Sequence, residues 1–352
     1  MSSYITKWLA PVGLAFLLVG CKPSNINAPL NGGEQHLTGN TMGTYYSIKI
    51  VGLEAARVEA IQENIDQRLA TVNQQMSTYL TDSELSQFNQ STDSGPFAVS
   101  ADTAKVVTAA LQLGRQTEQT LDVTVGPLVN LWGFGPDERP VQVPSDKQLS
   151  YAQMHTGLEH LRVEYDVDGQ YLYKAIPELY VDLSSIAKGF GVDVVSEYLS
   201  EQGLTNHLVE IGGELRLSGH NGHNKLWTVA VEKPHNSDNR SDELVQQVLV
   251  AGNNSVATSG DYRNYYEVDG QRLSHTIDPK TGQPITHNLA SVTVIHPSCM
   301  IADGLATALT VMGPEQALAF AKQHELAVYL LTKTDDGFKV DMTHAFKKYI
   351  RG

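Results

Sequence analysis

Two side chains with oxygen atoms lie four residues apart in the segment Asp303-Gly-Leu-Ala-Thr307. The apolar residues around them predict a helix, and residues four apart lie on one face of a helix. Mg²⁺ prefers such hard oxygen ligands, completed by water and by substrate phosphates. The pattern therefore predicts a magnesium site on a helix face. The alternative is an Asp at a helix start and a Thr packed in an apolar helix, and this segment alone leaves both open.

A second group of polar residues lies in Asp182-Leu-Ser-Ser-Ile-Ala-Lys188-Gly189. We expect a strand from Leu179 to Leu183, followed by a turn and a helix. Helix N-termini with nearby hydroxyls and a Lys attract phosphate oxygens. The spacing differs from a Walker loop, which has Gly before the Lys and Ser or Thr after it. A capped helix start with an exposed Lys is the alternative.

A histidine begins the segment His275-Thr-Ile-Asp278-Pro279, and Gly282 and Pro284 follow in a predicted turn. An imidazole that titrates near neutral pH can accept a proton from a hydroxyl nucleophile. A hydrogen-bonded structural histidine is the alternative. The sequence has no Gly-x-Ser-x-Gly elbow and no Gly-x-Gly-x-x-Gly after a strand, which argues against an α/β-hydrolase and a Rossmann dinucleotide site.

Helices and short strands must position these residues. Tyr45 to Val51 are rich in β-branched and aromatic residues, which predicts a strand, and a helix is expected to begin after the N-cap Ser100. Asp-Gly or Asn-Gly pairs at 168, 221, 269 and 336 indicate hairpins. This mixture predicts an α+β fold of mostly antiparallel sheets with packed helices. Further helical faces are predicted from apolar residues at three- and four-residue spacing, namely Val58, Ile61, Ile65, Leu69, Val72 and Met76, then Val192, Val195 and Leu199, then Leu305 to Met312.

The composition is that of a compact globular protein with an acidic balance. The 352 residues include 25 Lys and Arg against 39 Asp and Glu, a formal net charge of −14. A protein that binds nucleic acid needs a basic surface to displace counterions from phosphates. The charge therefore argues against a nucleic-acid partner.

The first twenty residues depart from this soluble pattern. Lys7 precedes an apolar run from Trp8 to Val19 that is too short for a stable membrane span. Gly20 and Cys21 follow directly, an order typical of a bacterial lipobox. Residues 1–20 are therefore predicted to be a lipoprotein signal peptide, and Cys21 is predicted to carry a lipid anchor. The alternative is an ordinary signal peptide followed by a chance Cys.

The segment after Cys21 is rich in Asn, Gly, Pro and Ser. We expect residues 21–40 to form a lipid-anchored flexible tether, and residues 41–352 to form the folded part. With Cys21 lipidated, Cys299 has no partner for an internal disulfide and is predicted to be a small buried core residue.

Eight segments in this order resemble the FAD:protein FMN transferase family, the ApbE-like flavin transferases. The resemblance covers nearly all of the chain after the predicted signal peptide, and many family members are exported lipoproteins. The segments are Thr41-Met-Gly-Thr-Tyr45; Met76-Ser-Thr-Tyr79 with Asp82-Ser-Glu-Leu-Ser86 and Phe88-Asn89; Asp122-Val-Thr-Val-Gly-Pro127 with Leu131-Trp-Gly-Phe134; Asp182 to Gly189; Glu210-Ile-Gly-Gly213; Val256-Ala-Thr-Ser-Gly-Asp-Tyr262; His275 to Pro284; and Asp303 to Thr307.

The resemblance implies a Mg²⁺-dependent enzyme that cleaves FAD at its pyrophosphate, joins FMN through a phosphoester to a Thr or Ser hydroxyl of a target protein and releases AMP. It also implies two closely joined lobes with the nucleotide in the cleft between them. By position, the metal site would comprise the side chains of Asp303 and Thr307 and, mainly through backbone oxygens, Ser185 and Ala306. The residues implied to contact FAD are Met42, Tyr79, Thr120, Leu121, Asp122, Asp182, Lys188 and Ile277.

The chemistry of this reaction suggests catalytic roles for three residues. His275 is expected to accept the proton of the target hydroxyl, with Asp303 as a possible substitute, and Lys188 is expected to face the phosphate charge. Plain core packing is the alternative for Met42 and Ile277. Capping of turns and helix starts is the alternative for Asp122 and Asp182.

The family implies flavin-carrying subunits of membrane redox complexes as targets, of the sodium-pumping NADH:quinone oxidoreductase or Rnf type. A lipid anchor on the periplasmic side of the inner membrane would bring the enzyme to them, although Lys22 after Cys21 leaves sorting to the outer membrane open. Two rival activities use the same residues: an FAD pyrophosphatase that gives free FMN and AMP, and a non-catalytic flavin-binding lipoprotein.

Overall fold

The structure is a computed structural model that describes residues 33–136, 140, 142–232, 245–260, 265–268 and 271–351, with the backbone alone for 265–268 and 271–272. The predicted signal peptide and Cys21 lie outside these residues. The helices are α1 (Val58–Met76), α2 (Glu84–Gln90), α3 (Ala101–Gln116), α4 (Gly126–Leu131), α5 (Asp146–Gln153), α6 (Ala187–Glu201), α7 (Cys299–Met312), α8 (Pro314–Gln323) and α9 (His344–Lys347). The strands are β1 (Glu34–Thr41), β2 (Thr44–Val51), β3 (Phe97–Val99), β4 (Leu161–Asp166), β5 (Gly169–Lys174), β6 (His207–Ile211), β7 (Glu214–Ser218), β8 (Val229–Glu232), β9 (Val245–Leu249), β10 (Ser255–Gly260), β11 (Tyr265–Val268), β12 (Gln271–Ser274), β13 (Ile277–Asp278), β14 (Gln283–Pro284), β15 (Leu289–His296), β16 (Ala327–Thr334) and β17 (Gly337–Met342).

An eight-stranded sheet forms the centre of the molecule, in the order β1-β2-β6-β7-β10-β15-β16-β17. Neighbouring strands in it run antiparallel. A smaller antiparallel sheet has the order β3-β5-β4. The predicted α+β class with mostly antiparallel sheets is confirmed, whereas the division into two lobes with a nucleotide cleft stays a prediction.

Apolar side chains pack on both faces of the large sheet. In β16, Leu330 packs in the cluster that contains α3 and α7, whereas Tyr329 and Leu331 pack in a cluster on the other face with Phe346 of α9. Successive side chains of a strand point to opposite faces of the sheet, so the apolar residues of β16 contribute to a cluster on each face. The helices α1 and α6 cover the sheet near β2 and β6.

The predicted helices over 58–76, after Ser100, over 192–199 and over 305–312 are all present, as α1, α3, α6 and α7. Ser100 caps α3 by accepting a hydrogen bond from the N–H of Thr103. Cys299 is fully buried, as expected. Within the described ranges we find no helix with the length and apolarity needed to cross a membrane.

The predicted tether boundary is wrong, because Glu34–Thr41 forms strand β1. This strand lies at the edge of the sheet and buries only Leu37, so its polar sequence looks like a linker. Its order comes from backbone pairing with β2 along its whole length, which side-chain composition does not reveal. The folded part therefore begins no later than Glu34.

The segment from Leu179 to Leu183 is also not a strand, although Leu179, Val181 and Leu183 are buried as a strand reading would require. Its backbone pairs with a side chain instead. The amide of Asn89 donates to the carbonyl of Val181 at 2.9 Å, and its oxygen accepts from the N–H of Val181 at 2.8 Å.

Helices α6 and α7 pack closely and cap one another. Asp303 of α7 accepts a hydrogen bond from the N–H of Gly189 in the first turn of α6, at 2.9 Å. Asp193 of α6 accepts from the N–H groups of Cys299 and Met300 in the first turn of α7, at 3.0 and 3.1 Å. Since the first N–H groups of a helix have no partner within the helix, this exchange satisfies donors that would otherwise be buried without one.

Candidate active site

Two hairpin tips lie side by side at one end of the large sheet. Met42 and Gly43 turn β1 into β2 with φ values of 47° and 70°, and Gly212 and Gly213 turn β6 into β7 with φ values of 59° and 107°. The N–H of Gly212 donates to the carbonyl of Tyr45 at 3.1 Å, which joins the two tips. Positive φ favours glycine, so Met42 holds a conformation that its side chain does not favour. Its methyl end lies against Gly191 of α6.

Three charged side chains meet beside these tips. The Lys188 ammonium is 2.7 Å from Oε1 of Glu214, which is the first residue of β7. Asp303 is close enough that the charges of Lys188 and Glu214 both act on it. Glu214 and Asp303 are buried, whereas the side chain of Lys188 is 32% exposed. The site therefore combines one cation with two buried carboxylates.

Burial and mutual charge set the protonation of this group. Burial raises the pKa of the Asp303 carboxyl to about 7; the charge of Glu214 adds to this rise, while Lys188 and the N–H of Gly189 oppose it. Burial also raises the pKa of Glu214, against the attraction of Lys188. For Lys188, burial favours the neutral amine, but Glu214 and Asp303 outweigh it and raise the pKa of the ammonium above its ordinary value. Lys188 therefore stays protonated at neutral pH.

Apolar side chains pack closely against α7 beside the predicted metal ligands. A Cβ at Gly304 would lie 2.7 Å from the Leu113 side chain, 3.4 Å from that of Leu121 and 3.6 Å from that of Ile186, so the absence of a side chain at Gly304 leaves room for them. Asp303 is buried, and Thr307 one turn later is half-buried. The carbonyl of Ala306 accepts a hydrogen bond from the Thr310 hydroxyl at 2.8 Å.

The donor set fits Mg²⁺. No group of three or more His, Cys, Asp and Glu side chains suited to a metal occurs in the described part of the chain. Mg²⁺ commonly binds one or two carboxylates and keeps waters and substrate phosphates as its other ligands. Oε2 of Glu214 is buried and has no hydrogen-bond partner among the described residues. A buried carboxylate oxygen in that state is compatible with a cation and its waters nearby.

Two aspartates predicted to contact FAD lie in neighbouring turns. The N–H of Asp182 donates to the carbonyl of Val123 at 2.7 Å, which joins the two segments. Asp122 accepts from the N–H and the hydroxyl of Thr124 at 2.7 and 2.6 Å. Asp182 accepts from the N–H of Ser184 at 2.8 Å. Both carboxylates thus organise turns, and burial raises the pKa of each despite these donors.

A further group contains two aromatic residues and the predicted base. The Tyr79 hydroxyl donates to the carbonyl of Phe134 at 3.4 Å. The rings of Phe134 and His275 meet edge to face, with centroids 6.3 Å apart. Burial of the hydroxyl and the charge of Asp182 raise the pKa of Tyr79. Tyr79 therefore contacts the Phe134 segment and is close enough to Asp182 to sense its charge, with its ring largely exposed to solvent.

A buried lysine supports that turn. Lys174 of β5 is 2% exposed and donates to four carbonyls, those of Asn89, Ser91, Pro177 and Leu179, at 3.3, 2.8, 3.3 and 3.3 Å. Its ammonium also lies 4.7 Å from the centroid of the Phe88 ring. Burial lowers its pKa to about 8, which the charge of Glu178 opposes. Lys174 thereby fixes the chain just before Asp182.

The structure thus brings the sequence-predicted residues into two groups. Lys188 pairs with Glu214 and is close enough to Asp303 for their charges to interact, and Tyr79 and His275 both contact Phe134. Leu121 and Ile277 are 2% and 5% exposed and belong to apolar clusters, while Thr120 is buried and its hydroxyl donates to the carbonyl of Thr117 at 3.0 Å. Ser185 is half-buried in the turn before α6. The assigned roles of all these residues in metal and FAD binding stay predictions.

Sequence reasoning missed Glu214 and Lys174 as parts of this region, and it named Phe134 only within a family-matching segment, without a role. Glu214 directly follows the Gly212-Gly213 pair, and a charged residue next to a glycine turn was the available signal. Lys174 had no such signal, because it is a single Lys at the end of the short strand β5.

Comparisons with known proteins show the family of this chain. A family model described as the ApbE family matches residues 42–330. An FAD:protein FMN transferase from Vibrio cholerae is 52% identical over 346 residues, which covers 98% of this chain and 99% of the relative. One from Escherichia coli is 43% identical over 343 residues, covering 97% of each chain.

Solved structures give the same result. The flavin transferase ApbE from Vibrio cholerae superposes with a TM-score of 0.82 at 53% identity, covering 90% of this chain and 99% of the other. The apo form of the Pseudomonas stutzeri flavinyl transferase ApbE superposes with a TM-score of 0.81 at 38% identity, covering 90% and 96%.

Proposed function

Because the chain belongs to the ApbE family, we propose that it transfers FMN from FAD to a Thr or Ser hydroxyl of a target protein in a Mg²⁺-dependent reaction that releases AMP. The observation that carries the proposal is the meeting of Lys188 with the buried carboxylates Asp303 and Glu214 at the end of the sheet. The Lys188 ammonium near two buried carboxylates suits a site that binds a metal ion and phosphate groups. Attack at phosphorus depends mainly on positioning and on charge neutralisation.

Each residue has a role in this reaction. Asp303 and Thr307 would hold the metal, with Ser185 and Ala306 contributing oxygens. A bound Mg²⁺ would neutralise negative charge on the pyrophosphate oxygens. Lys188, protonated at neutral pH, would bind the pyrophosphate as a second positive charge.

The transfer forms one bond and breaks another. The oxygen of the target hydroxyl forms a bond to the phosphorus of the FMN half, and the bond from that phosphorus to the AMP half breaks. His275 would accept the hydroxyl proton, and its ring is positioned by Phe134. The turns of Asp122 and Asp182 and the exposed ring of Tyr79 would bind the flavin part of FAD, with Met42, Thr120, Leu121 and Ile277 completing the site.

The acceptor and the location complete the proposal. We expect the targets to be flavin-carrying subunits of membrane redox complexes of the sodium-pumping NADH:quinone oxidoreductase or Rnf type. Lipidation of Cys21 would hold the enzyme on the periplasmic side of the inner membrane. A Cys21→Ser variant that still fractionates with membranes and still incorporates labelled palmitate would contradict lipidation at Cys21.

The test combines purified protein, FAD, Mg²⁺ and such a subunit, and reads the intact mass of the subunit. We expect a gain equal to one FMN phosphoester, lost on chelation and in Asp303→Ala but retained in Asp336→Ala, whose side chain is exposed in the β16–β17 turn. Rapid appearance of FMN and AMP in solution with an unmodified subunit would instead identify an FAD pyrophosphatase. Bound FAD that stays intact with every divalent metal would indicate a binding protein without activity.

A further inference from the structure

The Glu214 carboxylate is bound at only one of its two oxygens. Oε1 is 2.7 Å from the Lys188 ammonium. Oε2 is buried and has no hydrogen-bond partner within the described ranges. The residue as a whole is 3% exposed, so bulk water does not replace the missing partner. One oxygen of this buried carboxylate therefore has no protein partner among the described residues, although burying a charge without a partner costs free energy.

The stability of the fold does not explain why a carboxylate is buried at position 214. A buried ion pair loses the hydration of both charges, and replacing such pairs by apolar residues is often neutral or stabilising. The Lys188 side chain is 32% exposed, whereas that of Glu214 is 4% exposed, so the acid is the more deeply buried partner of this pair. The β6–β7 turn depends on the backbone of Gly212 and Gly213, which precede Glu214 and have positive φ. The turn therefore does not require a buried acid at this position.

The charges around Glu214 point to a ligand. Lys188 with Glu214 and Asp303 carries a net charge of minus one when both acids are ionised. A divalent cation reverses that sign, and the site then attracts the two negative charges of a pyrophosphate. Without Glu214 the same lysine would attract a pyrophosphate more strongly by itself, and the site would depend less on a metal.

We propose that Glu214 is a positioning residue of the metal and pyrophosphate site: Oε1 fixes the Lys188 ammonium, and Oε2 accepts a hydrogen bond from a water molecule on the metal. This inference rests on the proposed function. Mg²⁺ dehydrates reluctantly and usually keeps several waters, whose protons need acceptors. Groups that bind metal ligands in this way commonly change metal affinity by about 10–100-fold when they are mutated.

Metal binding tests this without turnover. Mn²⁺, which also takes oxygen ligands, is titrated into the full-length protein with and without ADP, and free Mn²⁺ is followed by EPR against solutions of Mn²⁺ and ADP alone. We expect Glu214→Gln, which keeps the size but removes the charge, to weaken binding about 10–100-fold. Glu214→Asp should recover part of the loss. The matched control is Glu197→Gln on α6, an exposed carboxylate 3.4 Å from Arg216.

The outcomes distinguish failure of the proposed metal site from failure of the role proposed for Glu214. If wild type binds no Mn²⁺ in either condition, the proposed metal site fails and the inference fails with it. If wild type binds, Asp303→Asn does not, and Glu214→Gln binds as tightly as wild type, only the role of Glu214 is overturned. A Glu214→Gln protein with lowered unfolding stability but unchanged Mn²⁺ affinity also overturns it, in favour of a structural ion pair. Should Glu214→Gln not fold, the affinity of Glu214→Asp decides, and wild-type binding by that variant counts against the proposal.

Discussion

Replacing Gly189 by Ala tests the contact that holds the predicted metal ligand in place. Gly189 lies in the first turn of α6, where the helix approaches the backbone of α7. A Cβ at this position would overlap the carbonyl oxygen of Cys299 and would lie 2.7 Å from its carbonyl carbon and 2.8 Å from Cβ of Asp303. These are backbone and backbone-proximal atoms, so no side chain can rotate away. The two helices must separate, and the hydrogen bond from the N–H of Gly189 to Asp303 lengthens or breaks.

The expected loss of stability follows from three contributions. Overpacking a close contact costs about 1–3 kcal/mol. Losing a hydrogen bond to a charged group costs about 1.5–3 kcal/mol. Ala in place of Gly inside a helix returns about 1 kcal/mol. We therefore expect the free energy of unfolding of Gly189→Ala to fall by about 1.5–5 kcal/mol, and metal affinity to fall with it because Asp303 loses its fixed orientation.

Urea denaturation measures the free energy of unfolding, and the Mn²⁺ titration measures metal affinity. The matched control is Gly191→Ala on the same helix, where the closest atom is the flexible methyl end of Met42 at 2.9 Å. That side chain can move, so we expect a change in stability within about 1 kcal/mol of wild type. Equal stability of Gly189→Ala and Gly191→Ala would refute the claim that the α6–α7 contact is limited by backbone.

Two other perturbations test the support of the site and the pH dependence of the fold. Lys174→Met should lower the free energy of unfolding by about 3 kcal/mol, because buried carbonyls lose their hydrogen-bond donor. The control is Lys105→Met, which replaces an exposed lysine and should change the free energy of unfolding little. Similar urea midpoints for the two variants would contradict this prediction. His207 is buried between the Ser196 hydroxyl and the carbonyl of Leu204, and burial lowers its pKa, so the unfolded state takes up a proton near pH 6.5 while the folded state does not. Stability should therefore fall as pH drops below 6.5, by at most about 1.4 kcal/mol per pH unit from this group, and His207→Gln should flatten that slope. An unchanged slope of urea midpoint against pH in His207→Gln would exclude this group as the cause.

Local patterns predicted much of the scaffold. The spacing of apolar residues located α1 and α7, and the Asp-Gly pairs at 168 and 336 located the β4–β5 and β16–β17 turns. These features depend on residues close in sequence, where periodicity and turn chemistry act directly. The same reasoning failed at β1, because an edge strand needs few apolar side chains when its backbone is paired.

Contacts between distant segments could not be predicted in this way. The pairing of Lys188 with Glu214 crosses from a helix start to a strand start, and the pairing of Asn89 with Val181 replaces a strand that the apolar pattern indicated. Whether a charged residue is exposed or buried depends on which segments pack around it. The burial of Lys174 depends in part on such a distant contact, because its ammonium donates to the carbonyls of Asn89 and Ser91 as well as to the nearby carbonyls of Pro177 and Leu179.

The sequence by itself determined the family and helices α1, α3, α6 and α7, and it indicated Asp303, Thr307, Lys188 and His275 as candidate carriers of chemistry, because residue type and local spacing are written in it directly. The tertiary structure alone decided that Asp303 and Lys188 share one charged group with Glu214, and that His275 meets Tyr79 through Phe134. The physical reason is that charge, burial and hydrogen bonding in this site act over a few ångströms in space between residues up to about two hundred positions apart in the chain.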